Sequence, residues 1–488
     1  MLALFPFSTP KRRWFFLLTG FILGAGFLGY RYLPRGVPPG PGTAPAAGRY
    51  SRAAEPNRLV ETRHDARYST RPGAVNWTVV PPFRLNPNEI FIWDGQYNSG
   101  TQVDEMLARG VTHLSVVKYA DPRIGRYDIP LRHRWGMVLN NQFEGTPAFN
   151  GQNVLALTDA QIDAVTDRFV EEYRQRARLR PAEVALDWVS LDFEWGEGEP
   201  ARVAKIGAIR RRMATRLRQR HGVRVVECYD TYPVGWHPDQ YFSTFSAEWE
   251  QLMVDGKPVV QAANNIPYIP LNNWVEEAGK WRQADFYSEP AYRDLRLERK
   301  RTNSDWLYRI CRAAEVNNRL APVPGIGYVT HGWAEFGYPK EQWGALRPDI
   351  MEGLAIWQFM LGGQGIGVWS ENVDIGTGGI VRDYYEALLV GLYKMSRHND
   401  LRTGERTFYT LPYSLDGGRT WLEEDIFATE KAKRPVVRGL LKGQELLVAA
   451  CDPTLFEGTR TVQVRFNDWV DEITLRPYQT YLGRATLP

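Results

Sequence analysis

Cysteine and histidine are scarce, at three and seven in 488 residues. Cys228, Cys311 and Cys451 are far apart and odd in number, which gives neither a disulfide framework nor a metal site. No second histidine lies at ligand spacing from His331, so no metal centre is read, and no cofactor is expected. An excess of charge of one sign is also missing. Lys plus Arg total 60 against 56 Asp plus Glu, a net charge of +4. There is no basic stripe of the kind nucleic-acid binding needs, so no nucleic-acid partner is expected. No glycine-rich phosphate loop follows the first strand, which ends in Trp93-Asp94-Gly95-Gln96-Tyr97. That absence speaks against a doubly wound dinucleotide fold.

What is present is a globular composition, 43% apolar and 24% charged, in a chain long enough for two to three domains. Aromatic residues reach 13%, and many fall where loops are expected. Aromatic rings stack on the C–H faces of sugars, and they also build cores. Composition leaves both readings open.

Lys11-Arg12-Arg13 precedes an apolar run, Trp14–Leu28, continuing to about Tyr30. A basic flank before an apolar stretch reads as a signal peptide or a single membrane anchor over residues 1–33. Ala44-Pro45-Ala46 looks like a cleavage site but lies far past the run, which favours an uncleaved anchor. The positive flank would stay inside, so the remainder is expected to be exported and to face the cell envelope. Residues 34–85, rich in Pro, Gly, Ala and Arg, read as a tether with little packed structure. The oligomeric state is not legible.

From 86 to 398 apolar strands alternate with amphipathic helices. Strands are expected at Glu89–Trp93, Val111–Val117, Trp135–Asn140, Ala185–Phe193, Val223–Tyr229, Asp285–Ser288, Gly325–Val329 and Gly365–Trp369. The clearest helices are Asp159–Arg178, Ala201–Arg220, Ser304–Asn318, Asp349–Leu361 and Val381–Ser396. The fold class is therefore α/β, an eight-stranded (β/α)8 TIM-type barrel. Arg210, Arg211, Arg212, Arg216, Arg218 and Arg220 crowd one helix and read as a solvated face. Residues 399–488 switch to period two, as expected for a C-terminal antiparallel β-sandwich. Ser414-Leu415-Asp416-Gly417-Gly418-Arg419-Thr420-Trp421 matches the Asp-box pattern S-x-D-x-G-x-T-W. A single copy argues against a propeller and for a structural hairpin.

The most informative segment is Asp187-Trp188-Val189-Ser190-Leu191-Asp192-Phe193-Glu194. On a strand, Ser190, Asp192 and Glu194 share one face, while Val189, Leu191 and Phe193 face the helices. Two carboxylates side by side cannot both ionise easily, so one is held protonated. A protonated carboxyl near neutral pH is what glycosidic cleavage requires, because the leaving oxygen must receive a proton. A salt-bridged structural pair is the alternative.

Here the sequence resembles two groups of glycoside hydrolases. The chitinase-type motif D-x-x-D-x-D-x-E reads Asp187-x-x-Ser190-x-Asp192-x-Glu194, with Ser in place of the second Asp. The hyaluronidase-type motif D-W-E reads Asp192-Phe193-Glu194. Tyr229-Asp230-Thr231-Tyr232-Pro233, the stretch Ala284–Tyr292, and the run Glu352–Leu361 followed by Gly362–Trp369 are similar to hyaluronidase segments in the same order. The resemblance implies Glu194 as general acid and base and Asp192 as the residue that steadies a substrate acetamido group, itself the nucleophile. It implies Tyr287 bonding that group and Trp369 flooring a sugar subsite. The substrate would be a polysaccharide or oligosaccharide containing N-acetylhexosamine.

Other strand-end residues are candidates for sugar contacts: Asp94; Tyr229, Asp230 and Tyr232; Tyr328, His331 and Trp333; and Glu371. Glu289 is a further candidate, and could instead be the nucleophile of a retaining enzyme on sugars without an acetamido group. A barrel that binds carbohydrate or assembles matrix without cleaving is the rival from outside enzymes.

Overall fold

The computed structural model describes residues 54–64, 80–96, 100–115, 131–139, 143, 154–177, 186–193, 200–229, 252–255, 257–265, 274–277, 280–283, 295–315, 318, 328–335, 347–374 and 380–488. Among them no helix is long and apolar enough to cross a membrane. The anchor expected over 1–33 lies outside the described residues.

Eight parallel strands close into a ring in chain order. They are β1 (Ile90–Gln96), β2 (His113–Ser115), β3 (Arg134–Leu139), β4 (Trp188–Asp192), β5 (Val225–Tyr229), β6 (Ala262–Asn265), β7 (Tyr328–Glu335) and β8 (Gly365–Asp374). β8 pairs back onto β1, from Gly365 opposite Ile90 to Trp369 opposite Asp94. The surrounding helices are α1 (Gly100–Ala108), α2 (Asp159–Ala177), α3 (Pro200–Gln219), α4 (Leu295–Glu315), α5 (Asp349–Met360) and α6 (Ile380–Ser396). The ring of eight parallel strands is as expected, and among the described residues helices follow six of them.

The sixth strand corrects the expectation. Ala262–Asn265 occupies that position, whereas Asp285–Ser288 lies outside the described residues. Ala-Ala-Asn-Asn has no β-branched or aromatic residue, so propensity does not mark it. Its place comes from pairing on both sides, Ala262 opposite Glu227 and Asn264 opposite His331.

Helix α2 begins with a reciprocal cap. The Gln161 N–H donates to Thr158 Oγ1 at 3.3 Å, and Gln161 Oε1 accepts from the Thr158 N–H at 2.8 Å. Proline opens α3, where its missing N–H costs nothing. The arginines of α3 are not simply solvated. Asp159, Asp163 and Asp167 recur every fourth residue on α2, facing Arg212, Arg216 and Arg220 on and just beyond α3. Arg212 grips Asp163 through two bonds of 2.7 Å, and Arg216 grips Asp167 through two of 2.6 Å. His221 Nε2 adds a 2.8 Å contact to Asp167.

The tail forms two packed antiparallel sheets, the expected sandwich. Its strands are β9 (Thr407–Thr410), β10 (Tyr413–Ser414), β11 (Val436–Lys442), β12 (Glu445–Cys451), β13 (Arg460–Phe466), β14 (Trp469–Leu475) and β15 (Tyr481–Thr486), with a short helix α7 (Ile426–Lys431) between β10 and β11. β9, β11, β12 and β15 make one sheet; β10, β13 and β14 make the other. Leu446, Val448 and Ala450 enter the core between the sheets, while Leu447, Ala449 and Cys451 join the core shared with α4, α5 and α6. β12 is thus buried on both faces, so its sequence does not alternate.

The tether expected over 34–85 contains a packed piece. Val60–Glu61 pairs with Arg484 and Gly483 on the edge of β15. The Leu59 N–H donates to Asp471 Oδ2 at 2.6 Å, and Trp469 Nε1 donates to Asn57 O at 2.7 Å. The Asp-box hairpin is structural, as expected. Asp416 Oδ1 accepts from the N–H groups of Arg419 and Thr420 at 3.0 and 2.9 Å. The bond from Thr420 leads in holding the Asp416 carboxyl down at about 2.

Two outcomes follow from the packing. The first concerns α5 and α6, which cross closely because residue 391 is glycine. A Cβ there would collide with the Glu352 carbonyl oxygen and stand 2.8 Å from Ala355 Cβ. Gly391→Ala is expected to cost about 1–3 kcal/mol in urea unfolding. The second concerns the α2–α3 ladder. The Arg216 bond, aided by His221, holds the Asp167 carboxyl down from 3.8 to about 2. A depressed carboxyl stabilises fully above its unfolded value and loses that contribution as pH falls through its folded value. Arg216→Ala should therefore cost about 0.5–1 kcal/mol at neutral pH. Its stability gap from the wild type should narrow as the pH of the unfolding experiment falls from about 4 towards 2.

Candidate functional site

Strand alternation carries the site. On β4, Val189 and Leu191 lie in the apolar core with α2 and α3, joined by Phe193 just past the strand end. Ser190 and Asp192 take the opposite face, toward the barrel interior. Asp192 ends the strand at its C-terminal end, the end at which barrel chemistry is built. It is 8% exposed. Glu194 lies outside the described residues.

Beneath Asp192 the interior holds a polar network. Trp135 Nε1 on β3 donates to Ser190 Oγ at 2.9 Å. Ser190 Oγ donates to Glu227 Oε2 on β5 at 2.5 Å, and Trp188 Nε1 donates to the same oxygen at 3.1 Å. Ser190 and Glu227 are register partners, and both are fully buried. Glu227 was missed from the sequence. Its signal was a single charged residue in the apolar strand Val225-Val226-Glu227-Cys228-Tyr229. The motif position held by Ser190 thus has a carboxylate beside it after all, contributed by the neighbouring strand.

Asp187, first in the quoted motif, belongs to the other end of the barrel. It lies just before β4, and Arg224 Nη2 donates to its Oδ2 at 2.8 Å. His113 Nε2 is 3.2 Å from the same oxygen. Burial alone would raise the Asp187 carboxyl, but the bonds from His113 and Arg224 outweigh it and hold it below its usual range. Burial also lowers His113 despite its carboxylate partner. A neutral imidazole protonated on Nε2, donating to ionised Asp187, satisfies both. This cluster sits at the N-terminal end of the barrel, the end that in such folds serves stability rather than chemistry.

Asp94 is buried on β1 in register with Trp369 on β8. It was expected at the end of its strand, but β1 continues to Gln96. Tyr229 is the last residue of β5, as expected. His331 and Trp333, expected beyond strand seven, lie within it. Tyr328 opens β7, at the end away from the mouth, while His331 and Trp333 lie opposite Gly365 and Gly367. Glu335, not anticipated, closes β7 opposite Trp369. Glu371 lies within β8, not after it, because that strand runs on to Asp374. Asp230, Tyr232, Tyr287 and Glu289 lie outside the described residues. Tyr287 and Glu289 also lose their expected placement at the end of strand six, since β6 ends at Asn265.

The large aromatic content is partly core. Trp93, Trp135, Trp188, Trp306 and Trp357 are fully buried. One carboxyl off the strands has acid character: Asp383 on α6 is pushed up to about 6 by burial and then by Glu386.

No protein-family model matches the chain, and no curated protein does. Among solved structures, a maltogenic α-amylase from Thermotoga neapolitana is similar with a TM-score of 0.41 and 11% identity, covering 82% of this chain and 99% of that one. An endo-β-1,4-mannanase from Thermotoga petrophila scores 0.36 at 12% identity, over 82% and 92% of the two chains. Active domain 2 of a chitinase from Pyrococcus furiosus scores 0.34 at 9% identity, over 64% and 98%. The assignment of the barrel rests on its closed ring of strands, not on these likenesses.

The interior network makes one outcome measurable. Ser190→Ala removes the hydroxyl that links Trp135 to Glu227, all three residues being buried. A loss of about 1–3 kcal/mol is expected in denaturant unfolding. A neutral result would mean that the two partners rebond without it.

Proposed function

We propose that the barrel hydrolyses glycosidic bonds of a polysaccharide or oligosaccharide. Asp192 carries the reading: a carboxylate on the inward face of β4, at the strand's C-terminal end, almost closed off from water. Glu194, two residues on, is the proton donor to the leaving oxygen and then the base that activates water. Asp192 steadies the acetamido group of an N-acetylhexosamine as its oxygen attacks the anomeric carbon. The spacing Asp192-x-Glu194 favours this route over a protein nucleophile. In the same reading the N-terminal segment exports the chain and holds it at the cell envelope.

The test is a panel of polysaccharides assayed for new reducing ends. Glu194→Gln keeps its shape but has no transferable proton, and turnover is expected to fall at least about a hundredfold. Asp192→Asn should be similarly impaired, and Glu289→Gln should retain most activity. A thiazoline mimic of the cyclised intermediate should inhibit. Covalent labelling of Glu289 by a fluorinated sugar would replace this mechanism with the retaining one. Wild-type turnover in Glu194→Gln would end the hydrolase reading as framed.

A further inference from the structure

Two cysteines 140 residues apart in sequence meet where the barrel backs onto the tail. Cys311 Sγ, on α4, lies 3.8 Å from Cys451 Sγ, at the end of β12. Both are fully buried. The reading from spacing alone, which left the cysteines unrelated, is corrected by this contact. Cys228 is elsewhere, in the separate core beneath α2 and α3.

The meeting is held in place on both sides. One turn before Cys311, Tyr308 Oη donates to the Arg434 carbonyl at 2.8 Å. The next residue, Arg312, donates to Glu430 at 2.6 Å. One turn after, Glu315 accepts from Arg438 Nε at 2.8 Å, with both side chains buried. These three contacts fix the helix against the tail, so the sulfurs cannot drift apart without breaking them. A sulfur–sulfur bond is about 2.05 Å long. Closing the present gap needs a movement of about 1 Å by each sulfur, within reach of small side-chain rotations.

We propose that Cys311 and Cys451 are a disulfide site, which bolts the barrel to the tail when the chain folds beside a disulfide oxidant. The oxidant is a small-molecule or protein disulfide. One cysteine thiolate attacks it, forming a mixed disulfide and releasing one oxidant sulfur as thiolate. The other cysteine thiolate then attacks the mixed disulfide, releasing the second oxidant sulfur. The cysteines lose two protons and two electrons, and the oxidant becomes two thiols. Burial pushes the Cys311 thiol well above its usual range, and only the thiolate reacts. The bond therefore forms during folding, before α4 and β12 close over it.

The full chain, unfolded in denaturant with reductant, is refolded beside reduced and oxidised glutathione, digested without reduction and read by mass spectrometry. The expected result is one peptide pair joined through Cys311 and Cys451, with Cys228 free. The melting temperature should lie at least about 5 °C above that of protein refolded in reductant. That rise should survive Cys228→Ser and vanish in Cys311→Ser. Three free thiols in the natively folded product, or glutathione left on either cysteine without a cross-link, overturns the proposal. A cross-link that leaves the melting temperature unchanged overturns the bolting.

Discussion

Strand β12 has no face left for water, and much of the molecule is arranged around that fact. One set of its side chains packs between the two tail sheets, and the other packs on α4, α5 and α6. A fully buried aliphatic side chain contributes roughly 1.5–3 kcal/mol over leaving it exposed. Stripping the tail away would therefore open apolar surface on both partners. Helix α5 shows the same pressure from the barrel side, with all twelve residues buried. The ion pair of Arg438 with Glu315 lies inside this interface, 1% and 3% exposed. Such a pair stabilises little by itself, but it forbids any docking that would leave either charge alone. The helices held this way flank β7 and β8, so the tail sets the wall that carries His331, Trp333 and Trp369.

Polar groups inside the barrel follow a gradient along its axis. At the N-terminal end each carboxylate meets a cation: Asp187 meets Arg224, and Glu89 meets Arg402 in a two-bond grip of 2.9 and 2.6 Å. Half-way up, Glu227 is held by neutral donors, a hydroxyl and an indole. At the upper end of β4 stands Asp192. The N-terminal end of the barrel thus carries ion pairs, and the proposed reaction is assigned to the opposite end.

Four of the barrel helices were legible in the sequence because their apolar period is strong, whereas α1 was not anticipated and α4 begins nine residues before its expected start. Asp159–Ala177 and Ile380–Ser396 begin and end within one residue of expectation. Strands four and five were legible too, but strand seven was expected at Gly325–Val329 and lies at Tyr328–Glu335, and strand eight runs five residues past its expected end. Ala262–Asn265 was not legible, because its identity as a strand comes from its neighbours' hydrogen bonds. The α3 arginines misled for the opposite reason. A charged stripe looks the same whether it faces water or an aspartate stripe on the next helix, and only the four-residue repeat on both helices distinguishes them. The inward face of β4 was legible through Ser190 and Asp192. Glu227 and the Cys311–Cys451 contact depend on strand register and on tail docking, which no local pattern encodes.

The pairing of Val60–Glu61 with Arg484 and Gly483 has a consequence for the order of assembly. The tail sheet is discontinuous in the chain: its edge strand comes first, and the whole barrel is threaded between it and its partner. At about 5–20 residues per second, synthesis would separate the two by roughly 20–80 s. During that time the edge segment has no sheet to join, while the barrel strands can already be closing. The sheet thus joins residues from both sides of the barrel in the sequence at one seam. A pull on the chain from before Ala54 would load the Asn57–Trp469 and Leu59–Asp471 bonds first and then the rungs at Val60–Glu61.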